Sequence, residues 1–410
     1  MNIFKERRQK FFNPLREDSV AVFFSKEAPV TSLDDRYYYI VDKNFYYLTG
    51  IERENFILTI EKINGKYEEY LFIEKSNEDI EKWTGIKMRA KEAKEISGVE
   101  HVRYVDDFNA YLNSIFTKMY IKNLYVDYQI TSYKDTSTFE HKFTEEILEK
   151  YPYVSIKNSN SFLSSLRMIK DVKEISELES AIEITRNSLN KLIKDIPHLE
   201  YEYQIESSFQ HYSKMQGSPY NSFSTIAASG KNAVVLHYLE NKNSLESGDL
   251  VLLDLGATFN NYCADISRTY PISGKFTDRQ KEIYQIVLDS QNEVIREIKP
   301  GLRFKDLNEI AKKSLYKGLE KIGMINDIEE LDRYYYHGVS HYLGLDTHDV
   351  GDRDIVLEPG MVLTVEPGLY IKEESIGIRI EDNILVTEDG HRNLSYRIPK
   401  EINEIEELMK

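Results

Sequence analysis

Nine histidines occur in this chain of 410 residues, and three of them, His337, His341 and His348, fall within twelve positions. The same stretch of 45 residues ends with Glu366, Arg379 and Glu381. Surface composition alone does not explain such crowding. Imidazoles mixed with carboxylates in separate short segments suit hard or borderline divalent metals. A second acidic pair, Asp254 and Asp265, lies upstream in apolar surroundings.

The elements that must position these groups are strands. Asp249 to Gly256 and Tyr262 to Thr269 flank the turn-forming pair Asn260-Asn261, which predicts a hairpin. Side chains alternate along a strand, so a hairpin with an even-numbered loop puts Asp254 and Asp265 on one face. The same parity holds for Glu366 and Glu381 around the charged turn at Lys372 to Ser375. In Ile376 to Glu381 the isoleucines take one face and leave Arg379 and Glu381 on the other. Parity also gives Cys263 the side of Asp265, where it is read as a small packing residue. Four carboxylates brought together without a cation repel one another and retain at least one proton at neutral pH. Two divalent ions and His341 remove that conflict, and a mostly oxygen donor set favours manganese, cobalt or zinc over copper. Paired ions roughly 3.5 to 4 Å apart hold a bridging water as hydroxide and polarise a carbonyl, which amide hydrolysis requires.

The order Asp254, Asp265, His341, Glu366, Glu381 resembles the five-ligand set of the pita-bread metallopeptidases. Leu252 to Ala257, Asp265 to Thr269, His337 to Asp349, Glu366 to Tyr370 and, in the first half, Asn44 to Gly50 resemble aminopeptidase P, the Xaa-Pro aminopeptidase. Ser340 is more similar to that family than to prolidase, where glycine is expected. The resemblance implies that Asp254 binds one ion, that Asp265 and Glu381 bridge both, and that His341 with Glu366 complete the other. It further implies Glu366 as general base, with His237, His337 and His348 lining the substrate site and stabilising the oxyanion. Arg379 resembles a supporting arginine. Tyr370 follows the Glu-Pro-Gly turn, where it packs or touches substrate. Trp83 resembles a residue that reaches a neighbouring subunit's site, which implies a homodimer or homotetramer.

The rest of the chain reads as two domains, 1–165 and 166–410, an α/β domain followed by an α+β pita-bread catalytic domain. In the first, strands are expected at Ser19 to Phe24 and through Asn44 to Gly50, followed by a hairpin of Asn55 to Ile60 with Tyr67 to Ile73 around Asn64-Gly65. A helix is expected at Lys87 to Ser97, a strand at Asn123 to Tyr128, a surface loop at Thr131 to Thr138 and a helix at Phe143 to Lys150. Helical periodicity marks Ile175 to Leu192, Glu202 to Met215, Asp278 to Ile298 and Phe304 to Ile322.

A net charge of −16 argues against a nucleic-acid partner. The single cysteine excludes an intramolecular disulfide and suits a reducing compartment. Met1 to Arg16 is broken by charges and Pro14, so no signal-peptide core is expected, nor a membrane span; cytoplasm is the expected location. The composite expectation is a metal-dependent aminopeptidase releasing the first residue of peptides with proline second. Proline's imide nitrogen lacks a hydrogen and its ring fixes the chain, so such bonds demand a shaped pocket. The competing readings are a prolidase acting on Xaa-Pro dipeptides and a non-catalytic pita-bread binding module, which the filled ligand positions disfavour. The long leading domain disfavours methionine aminopeptidase. A serine hydrolase built on Ser340 is disfavoured because Gly338 to Tyr342 lacks the second glycine of a nucleophile elbow.

Overall fold

The computed structural model describes residues 2–118, 121–130, 132 and 138–410. Contacts divide the chain into two compact units, Met1–Arg167 and Met168–Lys410.

In the first unit six strands form one sheet: β1 (Ser19–Phe24), β2 (Ile57–Ile63), β3 (Lys66–Ile73), β4 (His101–Tyr104), β5 (Asn123–Val126) and β6 (Ser155–Asn158). Their order is β4-β3-β2-β1-β5-β6, and β2 alone runs against the others. Val20, Val22, Phe72, Phe108, Leu112 and Phe116 are buried together in one core cluster of the unit. The β2-β3 hairpin turns at Asn64 and Gly65, both at positive φ (51° and 70°), as an Asn-Gly pair allows cheaply.

Asn44 to Gly50 is not a strand. Lys43–Thr49 is a helix, capped by the Asp42 carboxylate, which accepts from the backbone N–H groups of Asn44 and Phe45 at 3.0 Å each. It ends at Gly50, whose φ of 68° is left-handed and whose missing Cβ leaves room for the Phe4 ring. The run of aromatics favours a strand by propensity; the Asp and Gly caps, with Phe45 and Leu48 buried on one face, override it. The helix expected from Lys87 begins later, at Ala90, and ends at Ser97 before Gly98 at φ 71°. The helix expected from Phe143 begins earlier, at Phe139. The loop expected over Thr131 to Thr138 lies, apart from Ser132 and Thr138, outside the described residues.

The second unit combines helices Val172–Asp195, Glu202–Lys214, Asp278–Glu297 and Asp306–Lys321 with short antiparallel strands. These are β7 (Ile226–Ser229), β8 (Leu250–Leu255), β9 (Thr258–Phe259), β10 (Tyr262–Cys263), β11 (Ile266–Pro271), β12 (Val362–Val365), β13 (Gly368–Ile371), β14 (Ile376–Arg379), β15 (Asp382–Val386) and β16 (His391–Asn393). The longest helix starts on a capping box in which Asp171 and Glu174 exchange bonds with each other's backbone. Among the described residues no helix is long and apolar enough to cross a membrane.

Two long hairpins carry the acidic residues, and each is interrupted where those residues lie. In the first, Asp254 faces Ser267 and Leu255 faces Ile266; the same register continues through a 3.0 Å bond from Ala264 N–H to the Ala257 carbonyl and on to Phe259 facing Tyr262. Asn260 and Asn261, both left-handed at φ 46° and 68°, make the two-residue turn. Between the ladders the backbones crowd: a Cβ on Gly256 would lie 1.8 Å from the Ala264 carbonyl oxygen, so only glycine fits opposite Asp265.

In the second hairpin Gly368 faces Arg379 around the four-residue turn 372–375, and Val365 faces Asp382 in the same register. Glu366 and Glu381 therefore face each other in the gap between the ladders. Pro367 has no N–H to give there. The backbone N–H of Glu366 goes to the Val339 carbonyl at 2.9 Å and that of Glu381 to the Ser267 carbonyl at 3.0 Å. The second bond ties one hairpin to the other. The segment bearing His341 runs beside β12, with Leu343 N–H on the Val362 carbonyl and Thr364 N–H on the His341 carbonyl.

Candidate metal centre

The five predicted ligands converge on one cavity of about 190 Å³, which His237, His337, His348 and Arg379 also line. Within it, ligand atoms of Asp265, His341 and Glu381 all lie within 4.8 Å of one another, and all three residues are buried. His341 Nε2 is 3.3 Å from Asp265 Oδ2 and 3.5 Å from Glu366 Oε1. Asp254 joins through Ser267, whose hydroxyl lies 3.1 Å from Asp254 Oδ1 and donates to Glu381 Oε2 at 2.8 Å.

Two features fit this cluster to cations. His341 Nδ1 is 2.9 Å from the Tyr342 carbonyl, which can only accept, so in the neutral ring Nδ1 carries the proton and the Nε2 lone pair faces carboxylate oxygens. A lone pair aimed at anions is repulsive, and a cation between them reverses the sign. Metal-binding imidazoles are commonly oriented by such a bond from the other nitrogen. Asp265 Oδ1 and Glu381 Oε1 are also buried acceptors with no protein donor. Burial first, and then neighbouring carboxylates, hold the Asp265 and Glu381 carboxyls well above their ordinary range. Burial raises Glu366 as well. A divalent metal fits this donor set.

Arg379 organises the floor of the site. Its Nε donates to Ser267 Oγ at 2.8 Å, Nη2 to Asp254 Oδ2 at 2.6 Å and Nη1 to the Tyr370 hydroxyl at 3.1 Å. Tyr370 in turn is 2.8 Å from His337 Nε2, and His337 Nδ1 is 2.9 Å from the Gly338 carbonyl. Both ring nitrogens of His337 are therefore engaged within the protein. Its ring, pushed down to about 4 by burial and by the Arg379 charge, is neutral at pH 7 and accepts from Tyr370. His348 stands perpendicular to His341 with ring centres 4.3 Å apart, and partial burial with the His341 ring pushes it down to about 4. Tyr370 is buried behind Arg379, where burial pushes its hydroxyl up to about 12. Trp83 belongs to the first unit, on the short helix Glu78–Thr84, and is 90% exposed.

Cys263 is buried at the end of β10. β10 ends at Cys263 and β11 begins at Ile266, with the pairing register continuous across the gap. The thiol is directed 3.5 Å from the Leu345 carbonyl, and Cys263 does not line the cavity. Two polar residues beside the site escaped the sequence reading. Ser267 could have been found from its register position opposite Asp254. Arg353, which lines the cavity, sits in an aperiodic charged run after His348 that offers no such signal. Ser340 lines the cavity too, with a buried hydroxyl that has no protein partner.

Known proteins resemble this chain over nearly its whole length. The model of metallopeptidase family M24 matches residues 176–388, and that of the aminopeptidase P N-terminal domain matches residues 4–125. The chain is 35% identical to the Xaa-Pro aminopeptidase of Haemophilus influenzae over 99% of its own length and 96% of the relative's. To the Xaa-Pro aminopeptidase of Escherichia coli it is 33% identical, over 99% and 97%. The structure of the E. coli aminopeptidase P with the inhibitor Pro-Leu superimposes with a TM-score of 0.91 at 32% identity, covering 99% of this chain and 97% of that one. A structure of a candidate aminopeptidase P from Bacillus anthracis gives a TM-score of 0.97 at 47% identity, with the same coverage. One E. coli form is zinc-substituted and in complex with product.

Proposed function

The chain belongs to metallopeptidase family M24, and from that membership we propose that it is a Xaa-Pro aminopeptidase, releasing the first residue from peptides whose second residue is proline. The observation that carries this reading is the buried convergence of Asp265, His341 and Glu381, with Asp254 and Glu366 lining the same cavity. Full-length similarity to Xaa-Pro aminopeptidases supports the choice of substrate.

We assign Asp254, Asp265, His341, Glu366 and Glu381 as the residues that would hold two divalent ions. Manganese is our first choice because four carboxylates and one imidazole make an oxygen-rich set, with cobalt or zinc as substitutes. When bound, the ions supply Lewis acidity to the scissile carbonyl and lower the pKa of a water molecule. Glu366, with a side chain 18% exposed against 6% for Asp265, is the carboxylate most open to an incoming water and takes its proton. That proton passes to the prolyl nitrogen as the carbon–nitrogen bond breaks and the water oxygen joins the carbonyl carbon. His237 and His348 orient the carbonyl and donate to the oxygen as it gains charge. His337, engaged by Tyr370 and Gly338, instead keeps Arg379 and Tyr370 in line beneath Asp254.

We further propose a homodimer or homotetramer in which the exposed Trp83 reaches a neighbouring copy's site, and a cytoplasmic location consistent with the single cysteine.

His237→Ala is expected to leave the metal content near normal and to lower kcat about 100-fold, the cost of one donor to a developing oxyanion. Metal analysis beside steady-state kinetics checks it. Substrate length tests the reading itself: an Xaa-Pro-Yaa tripeptide should be cleaved about tenfold faster than the Xaa-Pro dipeptide, because contacts beyond proline contribute to the transition state. Dipeptide preference would make the enzyme a prolidase instead.

A further inference from the structure

His237 is the one cavity histidine carried between β7 and β8, on an exposed connection outside the two ligand-bearing hairpins. Regular ladders do not hold it. A single buried carboxylate outside the cavity does much of that work. Glu202, 0% exposed at the start of helix Glu202–Lys214, accepts five hydrogen bonds from residues 27 to 41 positions away. Oε1 receives the Ser229 N–H at 2.8 Å, the Ser229 hydroxyl at 2.7 Å and Asn232 Nδ2 at 3.0 Å. Oε2 receives the Tyr238 hydroxyl at 2.8 Å and the Asn243 N–H at 2.9 Å. The Glu202 N–H donates to the Asn243 carbonyl at 3.0 Å in return.

These donors bracket His237 on both sides, and Tyr238 is its immediate neighbour. The preceding turn is fixed from below as well: a Cβ on Gly377 would lie 2.1 Å from the Ala233 carbonyl oxygen, so residues 230–234 rest directly on β14. At the far end Asn241, left-handed at φ 44°, bonds Glu206, the Thr225 carbonyl and the Ala227 N–H. A carboxylate satisfied by five donors in a buried place is rigid, because displacing any donor leaves a polar group unpaired.

We propose that Glu202 is the positioning residue for His237, and that its carboxylate sets the reach of the imidazole into the cavity. The inference rests on the role given to His237 above. Glu202→Gln keeps the shape but replaces one acceptor oxygen with a donor amide, which opposes donors on one side of the hub. Tyr238→Phe removes only the contact adjoining His237.

The test is a double-mutant cycle of Glu202→Gln and Tyr238→Phe, each with and without His237→Ala, in the metal-loaded full chain with a penultimate-proline tripeptide. Glu202→Gln should lower kcat about tenfold with KM and metal content near wild type, and add less than about twofold once His237 is alanine. Tyr238→Phe should show the same pattern at smaller size, which keeps the test valid if the glutamine variant folds poorly. Losses of equal size in both backgrounds, or wild-type kcat in both variants, overturn the positioning role while leaving the peptidase reading intact. Wild-type kcat in His237→Ala alone overturns the role of His237 and this inference together, whereas loss of proline specificity in the unmutated enzyme would strike the functional reading itself.

Discussion

Glu381→Ala is expected to lower kcat by at least about 10³-fold and to cost the protein bound metal, as loss of a buried ligand should. The reason lies in where Glu381 sits. Its side chain closes the buried triangle with Asp265 and His341, while its backbone N–H, bonded to the Ser267 carbonyl, fixes the strand end that carries it. The Ser267 hydroxyl already donates to Glu381 Oε2, which directs the orphaned Oε1 toward the cluster. Asp265→Ala should behave alike, since its Oδ1 is equally unpartnered. Elemental analysis of the purified variants beside their turnover decides it; a Glu381→Ala protein retaining two ions and wild-type kcat would sink the ligand assignment.

Exhaustive chelation is expected to abolish activity and to lower the melting temperature of the second unit. Without metal, Asp254, Asp265, Glu366 and Glu381 line one cavity where, among the described residues, the Arg379 guanidinium bonds to Asp254, and the His341 lone pair points at two of the other carboxylates. Metal present at about a thousand times its dissociation constant stabilises the native state by about 4 kcal/mol. For a unit of this size that corresponds to a shift on the order of 10 °C. Calorimetry before and after chelation measures it, and an unchanged melting temperature would mean that the cluster tolerates its own repulsion without metal.

The acidic pairs were legible because strand parity is local arithmetic. Asp254 with Asp265, and Glu366 with Glu381, need only even loops, and the turns at Asn260-Asn261 and 372–375 are even. What parity cannot foresee is where pairing stops: β10 ends at Cys263 and β11 begins at Ile266, and Asp265 lies in that gap. Nor does pattern override capping, as the helix Lys43–Thr49 shows in an aromatic run that reads as a strand. Glu202 was invisible for a different reason. Its partners lie far along the chain in loops without periodicity, so its meaning exists only once Ser229, Asn232, Tyr238 and Asn243 have folded around it. Arg353 shares that fate in the loop after His348.

The central claim is that these carboxylates and one imidazole form a working dinuclear metal site, and stepwise return of manganese to the chelated enzyme probes it most directly. Activity on a penultimate-proline tripeptide should rise from the background and level off at two equivalents per chain, with both ions counted by elemental analysis. Full turnover in the metal-free protein, or a plateau with no metal bound to the Asp265, His341 and Glu381 cluster, would contradict it.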